Sequence, residues 1–205
     1  MITLYTLKPR FQGLLRPLVG RMARAGITAN QVTIAAALGS VIIGLAVVLA
    51  AGDTAVFLLL PVWLAVRMAL NAIDGMLARE FGQQSRLGAY LNELGDVVSD
   101  AALYAPFAFI PPFGAMWTGL VIVLALLTEF AGVLGPTVGA SRRYDGPLGK
   151  SDRALLAGAL GFWIGIGGAR PGWLAWLMPV TAVLLILTVA NRIRGGLRNA
   201  DETSA

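Results

Sequence analysis

The sequence predicts an all-α, polytopic membrane protein: six transmembrane helices preceded by an amphipathic segment lying at the membrane interface. Composition is the first reason. Of the 205 residues 57% are hydrophobic and only 13% charged, with a mean hydropathy of +0.75, whereas about a quarter of a soluble domain is charged. The second is periodicity of apolar runs. Crossing ~30 Å of hydrocarbon takes roughly 20 apolar residues, and such runs occur at about 30–51, 54–79, 86–110, 114–134, 151–168 and 172–194. The third is the sorting of the 16 Lys and Arg residues. Lys8, Arg10, Arg16, Arg21 and Arg24 precede the first run, and Arg79 and Arg86 separate the second from the third. Arg142, Arg143, Lys150 and Arg153 lie around the fourth connection, Arg192, Arg194 and Arg198 close the chain, and the alternate loops hold only Arg170. The positive-inside rule then places both termini and the loop at 80–86 on the cytoplasmic side of the cell (inner) membrane.

Residues 1–29 form the interfacial segment. Leu14, Leu15, Leu18, Val19 and Met22 alternate with basic residues in a helical pattern too short and too charged to span. Pro9 and Pro17 are expected to break or kink it. No small-residue cleavage site follows the first apolar run, so no secretory signal is expected. Residues 30–198 form the six-helix domain, and 199–205 a polar tail. Thr28 and Asn30 are both suitable N-caps for the first span. The second and third spans turn at about Glu80–Arg86. Pro106 and Pro111-Pro112 bend and then end the third span, and Gly135-Pro136 closes the fourth.

The loop from Ser141 to Arg153 is the most polar segment outside the termini. Its charge is explained by topology alone, or by an anion site in which backbone N–H groups at a helix start are joined by Lys150 and Arg153. There is no Cys and no His, so disulfide and thiolate chemistry are excluded. Any metal must be held by oxygen, which favours Mg²⁺ or Mn²⁺. A net charge of +5 reads as topology and attraction to anionic lipid, with no nucleic-acid partner.

The chemistry is concentrated in Asn71-x-x-Asp74-Gly75-x-x-Ala78-Arg79, followed after eight residues by Gly88-x-x-x-Asn92-x-x-x-Asp96. Polar groups in apolar helices cost free energy and mark function. At ~100° per residue, 71, 74, 75 and 78 share one helix face, and 88, 92 and 96 share a face of the next. The spacing resembles the signature of the CDP-alcohol phosphatidyltransferase family, Asp-x-x-Asp-Gly-x-x-Ala-Arg-x8-Gly-x-x-x-Asp-x-x-x-Asp, with Asn71 and Asn92 in place of the first and third aspartates.

The resemblance implies a phospholipid-synthesising transferase that moves a phosphatidyl group from CDP-diacylglycerol to a small alcohol or alcohol phosphate, releasing CMP. It implies that Asn71, Asp74, Asn92 and Asp96 hold Mg²⁺ or Mn²⁺, the two amides weakly, and that Asp96 is the general base. Asn30, Thr33, Asp74, Gly75, Ala78, Arg79 and Gly88 would surround the nucleotide. Arg142, Arg143, Lys150 and Arg153 are the candidate acceptor-binding residues, and the family's homodimer is the implied assembly. The alternatives are transfer of a CDP-linked headgroup onto diacylglycerol, a catalytically weak nucleotide-binding member, and an ion-coupled carrier. Against the carrier, the polar residues cluster at one end of the spans and no internal repeat is present.

Six further charges fall outside the motif's fixed positions. Arg67 is expected to pair with Asp100, Glu93 points ~100° away from Asn92, and Glu129 reads either as a cavity residue or as a packing partner. Arg192 and Arg194 read as interfacial anchors or as residues closing the cavity.

Overall fold

The structure is a computed structural model that describes residues 4–204, with the side chains of 11–202; those of Lys8 and Arg10 lie outside it. It is all-helical, and seven α-helices are joined by short loops and 3₁₀ turns. The first, α1 (Leu4–Arg24), runs unbroken through both Pro9 and Pro17, contrary to the sequence expectation. Pro17 and Gly13, whose carbonyl loses an amide partner to it, both lie on the exposed side. The orphaned carbonyl can therefore be solvated. The opposite face, centred on the fully buried Val19, packs on Ile73, Met76 and Leu77 of α3.

Helix α2 (Ala29–Leu49) opens with a capping box. Thr28 Oγ1 accepts from the Gln31 amide at 3.2 Å, and the Gln31 side chain accepts from the Thr28 amide at 2.9 Å. Thr28 is thus the N-cap, and Asn30, two residues inside, is left to donate its Nδ2 to Ser85 Oγ at 3.5 Å. A 3₁₀ turn at Thr54–Leu58 leads into α3 (Leu59–Glu80). Ser85 caps α4 (Arg86–Tyr104), accepting from the Gly88 amide at 2.9 Å. Helix α4 passes into a 3₁₀ turn over Ala105–Phe109, with Pro106 at its start. Then come α5 (Ala115–Val133), α6 (Lys150–Gly165) and α7 (Leu177–Ser204). Residues 199–204 prolong α7 rather than forming a tail, and Asn199 Oδ1 accepts from the Ser141 amide at 2.9 Å.

Among the described residues four stretches are long and apolar enough to cross a membrane: Ala29–Leu49, Thr54–Glu80, Ala115–Val133 and Gly172–Glu202. The other two predicted spans correspond to α4, which carries Asn92, Glu93, Asp96, Ser99 and Asp100, and α6, which has 16 residues. Both run inside the same bundle, α4 against α2 and α5 and α6 against α3. The core is closed by Phe57, Phe107 and Phe113, the last two meeting edge to face at 6.1 Å. Outward-facing Leu38, Ile42, Leu45, Val180, Val183 and Ile186 are exposed; contiguous apolar surface of this extent suits lipid rather than water.

Helices α2 and α4 approach closely because Gly44 lies against the backbone carbonyl of Ala102. Gly44→Leu is expected to cost about 1–3 kcal/mol by overpacking. A lowered thermal unfolding midpoint in detergent would show it.

Candidate active site

The α3–α4 hairpin brings the two motif stripes together against the start of α2. A cleft of about 420 Å³ is lined by Asn30, Thr33, Asp74, Gly75, Ala78, Arg79, Gly88, Asn92 and Glu93. Asp74 is buried, and its Oδ2 accepts from Thr33 Oγ1 at 2.8 Å. Gln83 fixes the rim: its Oε1 accepts from the Ala29 amide at 2.7 Å, tying the hairpin turn to α2. A Cβ at Gly88 would lie 2.7 Å from Asn30 Oδ1 and 3.0 Å from Ser85 Oγ, so a side chain there would displace both.

Asn71 does not join this cleft. Three residues before Asp74, it is rotated by ~60° on an ideal helix, enough to turn it from α2 toward α6. It lines a separate, largely apolar groove of about 630 Å³ between α3 and α6, with Pro61, Leu64, Met68, Leu155 and Phe162 as walls and Arg67, Asn71 and Lys150 at its polar end.

Asp96 stands between the cleft and the groove. Its Oδ1 accepts from Arg67 at 3.1 Å, and its Oδ2 is in ion-pair contact with the Lys150 ammonium. From there a network of ion pairs crosses five helices. Arg67 donates to Asp100 at 2.7 Å, the pairing the sequence predicts, and Arg153 bridges Asp100 at 3.1 Å and Glu129 at 2.9 Å. Arg153 also donates to Thr128 Oγ1 at 3.0 Å. Arg192 reaches the Thr128 carbonyl and Glu129, while Arg142 pairs with Glu93 and Glu129. Arg67, Arg153 and Arg192 are each less than 5% exposed. Charges so buried are tolerable only because each is paired and hydrogen-bonded.

All four loop cations considered for the acceptor therefore have carboxylate partners. Arg143 grips Asp145 with two hydrogen bonds, at 2.8 and 3.0 Å, and holds that carboxyl below the usual carboxylate range. The helix start expected to hold an anion is met by the chain's own Asp152, which accepts from the Gly149 amide at 2.9 Å. Glu129 is resolved as a packing partner and Arg192 as a member of the network, whereas Arg194 is exposed. Gln83 and the Lys150–Asp96 contact escaped sequence reading. An uncompensated carboxylate in an apolar run, Glu129, was the signal that buried arginines had to be found nearby.

The CDP-alcohol phosphatidyltransferase family model matches residues 26–189. The chain is 49% identical over 204 residues to the inner membrane protein YnbA of Escherichia coli (strain K12), covering 98% of this chain and all of that one. It is 31% identical over 194 residues to a phosphatidylinositol phosphate synthase of Mycobacteroides abscessus, covering 89% and 83% of the two chains. Its fold is that of the Mycobacterium tuberculosis phosphatidylinositol phosphate synthase crystallised with CDP-DAG bound, with a TM-score of 0.71, 21% identity and coverage of 90% and 92%. With a motif matched in register, a family model spanning most of its length and an inner membrane protein among its relatives, this membrane-embedded chain belongs to the CDP-alcohol phosphatidyltransferase family.

Proposed function

We propose that the protein transfers a phosphatidyl group from CDP-diacylglycerol to a small alcohol or alcohol phosphate, with release of CMP. The observation that carries this reading is the pairing of a polar cleft with an apolar groove, parted by Asp96 and Lys150. A CDP-lipid has the matching polarity. Its cytidine fits the cleft beside Asn30, Thr33 and Gly75, its acyl chains fit the groove, and its diphosphate then crosses the wall between them. Arg79, with Gly75 and Ala78 leaving room beneath it, faces the phosphates from the cleft side.

In the reaction the acceptor hydroxyl oxygen attacks the phosphorus attached to the lipid. The bond from that phosphorus to the bridging oxygen breaks, and CMP leaves with the electron pair. Asp96 takes the hydroxyl proton, since a carboxylate has roughly four lone-pair sites and two are engaged by Arg67 and Lys150. Positioning and electrostatics supply most of the acceleration. The acceptor enters from the loop at 141–149. A phosphate there would have to exchange with carboxylate partners of Arg142, Arg143 and Arg153, so a neutral alcohol is the better fit.

The working assembly is a homodimer with six helices per chain crossing the membrane and α1 lying on its cytoplasmic face. The clustering of α1, the α3–α4 turn, the 141–149 loop and the end of α7 at one end of the bundle supports that orientation.

The test is CMP release by the purified protein from CDP-diacylglycerol across a panel of neutral and phosphorylated alcohols, against CDP-linked headgroups with diacylglycerol. CMP from the second arm alone would reverse the direction of transfer, and none from either would remove the reading. Gly88→Leu is expected to weaken binding of CDP-diacylglycerol by on the order of tenfold or more, because the side chain would collide with Asn30 and enter the cleft. Isothermal titration checks it.

A further inference from the structure

The family resemblance places divalent ions at positions 71, 74, 92 and 96. The donors present here do not fit a cage for two such ions. Asn71 and Asn92 offer uncharged carbonyl oxygens, and Asn71 lines the groove rather than the cleft. Asp96 has one carboxylate oxygen on Arg67 and the other on Lys150. Glu93 is paired with Arg142, which leaves Asp74, bonded by Thr33, as the one carboxylate on the cleft without a cationic partner in contact. Among the described residues no three acidic side chains converge. Affinity for a hard divalent ion follows the number of charged oxygens offered to it.

Resting on the transferase reading, we infer that the Lys150 ammonium supplies the positive charge that faces the donor diphosphate, as a catalytic residue built into the chain in place of one divalent ion. Charge accounting supports this. Exchanging two carboxylates for amides removes two negative charges, the number that one divalent ion would have neutralised. The site is then balanced without it.

Position supports it as well. Lys150 begins α6 at the wall between cleft and groove, in contact with Asp96 and within electrostatic reach of Asp74. Its side chain is 32% exposed, against 4% for Arg67 and 2% for Arg153. It can therefore meet a ligand, whereas the buried arginines cannot. An ammonium on a four-carbon stem is also free to change partners. When the diphosphate arrives, Lys150 moves from Asp96 Oδ2 to a phosphate oxygen. The vacated Oδ2 then accepts the hydrogen bond of the acceptor hydroxyl, so donor binding readies the base.

The test titrates CDP-diacylglycerol in detergent micelles into the purified full chain, with EDTA or with Mn²⁺, and follows Mn²⁺ itself by electron paramagnetic resonance. The unmodified protein is expected to bind the lipid in EDTA, and to bind Mn²⁺ alone no more tightly than about millimolar. Lys150→Gln should weaken lipid binding in EDTA by on the order of tenfold or more, with Lys150→Arg close to the unmodified protein. The combination Asn92→Asp, Lys150→Gln, which puts a second free carboxylate on the cleft beside Asp74, should gain both a Mn²⁺ signal and Mn²⁺-dependent lipid binding. Lipid binding by the unmodified protein that vanishes in EDTA and returns with Mn²⁺ overturns the inference. So does a Lys150→Gln protein of unchanged thermal midpoint that binds the lipid normally and loses only apparent affinity for the acceptor. No binding of CDP-diacylglycerol under either condition overturns the transferase reading itself.

Discussion

Asp96→Asn is expected to lower CMP release at saturating substrates by about two to four orders of magnitude, the range contributed by a positioned general base. Binding of CDP-diacylglycerol should persist, because the amide keeps the side chain's shape and Asp96 does not line the cleft. Asp74→Asn should weaken binding and turnover together, since Asp74 does line it and is held there by Thr33. Comparing a titration with a turnover assay separates the two cases. Near-full turnover by Asp96→Asn would remove its assignment as base.

The largest effect on stability is expected from Arg153→Ala. Arg153 bridges Asp100 and Glu129 from a position only 3% exposed. Its removal leaves two buried carboxylates short of a partner, and breaking a buried pair in this way costs about 3–5 kcal/mol. Thermal unfolding in detergent should show a large fall in midpoint. Adding Asp100→Asn should recover part of it, because one stranded charge goes with the cation while Arg67 keeps Asp96 and Glu129 keeps Arg142 and Arg192. If Arg153→Ala alone leaves the midpoint unchanged, the network does not hold the helices together.

Much of this was legible in the sequence because one solvent dictates it. Apolar run length fixed where α2, α3 and α5 lie to within a few residues, α7 runs ten residues past its predicted end at 194, and prolines marked the end of α4. Thr33, Asp74, Gly75, Ala78, Arg79 and Gly88 could be gathered because a helical hairpin leaves few ways to face two stripes. Asn71 was misplaced for a reason of degree. A 3-residue step leaves ~60° of rotation, and which neighbour each side chain meets depends on a third and a fourth helix, α2 and α6. The loop cations were read without their partners. Arg142, Arg143, Lys150 and Arg153 look like an anion site in one dimension, but Glu93, Asp96 and Asp100 of α4, Glu129 of α5 and the loop's own Asp145 approach them. Only Asp145 is local to the 141–153 sequence; the other four partners come from α4 and α5. The continuity of α1 through two prolines has the same character, since it is packing on α3 that holds the helix together.

The charges shared among five helices also constrain how the chain is born. An ionised side chain entering lipid alone near the middle of a span costs about 2.5–3.5 kcal/mol, and α4 carries three carboxylates, Glu93, Asp96 and Asp100. Arg67, made earlier on α3, is the partner available when α4 leaves the ribosome. These pairs favour insertion of the two helices as one hairpin over insertion in succession. Glu129 then meets Arg142 and, 24 residues after itself, Arg153, which also joins it to Asp100. Assembly runs as a relay in which each newly made segment neutralises the one before it, and Arg192 on the last helix completes the sequence.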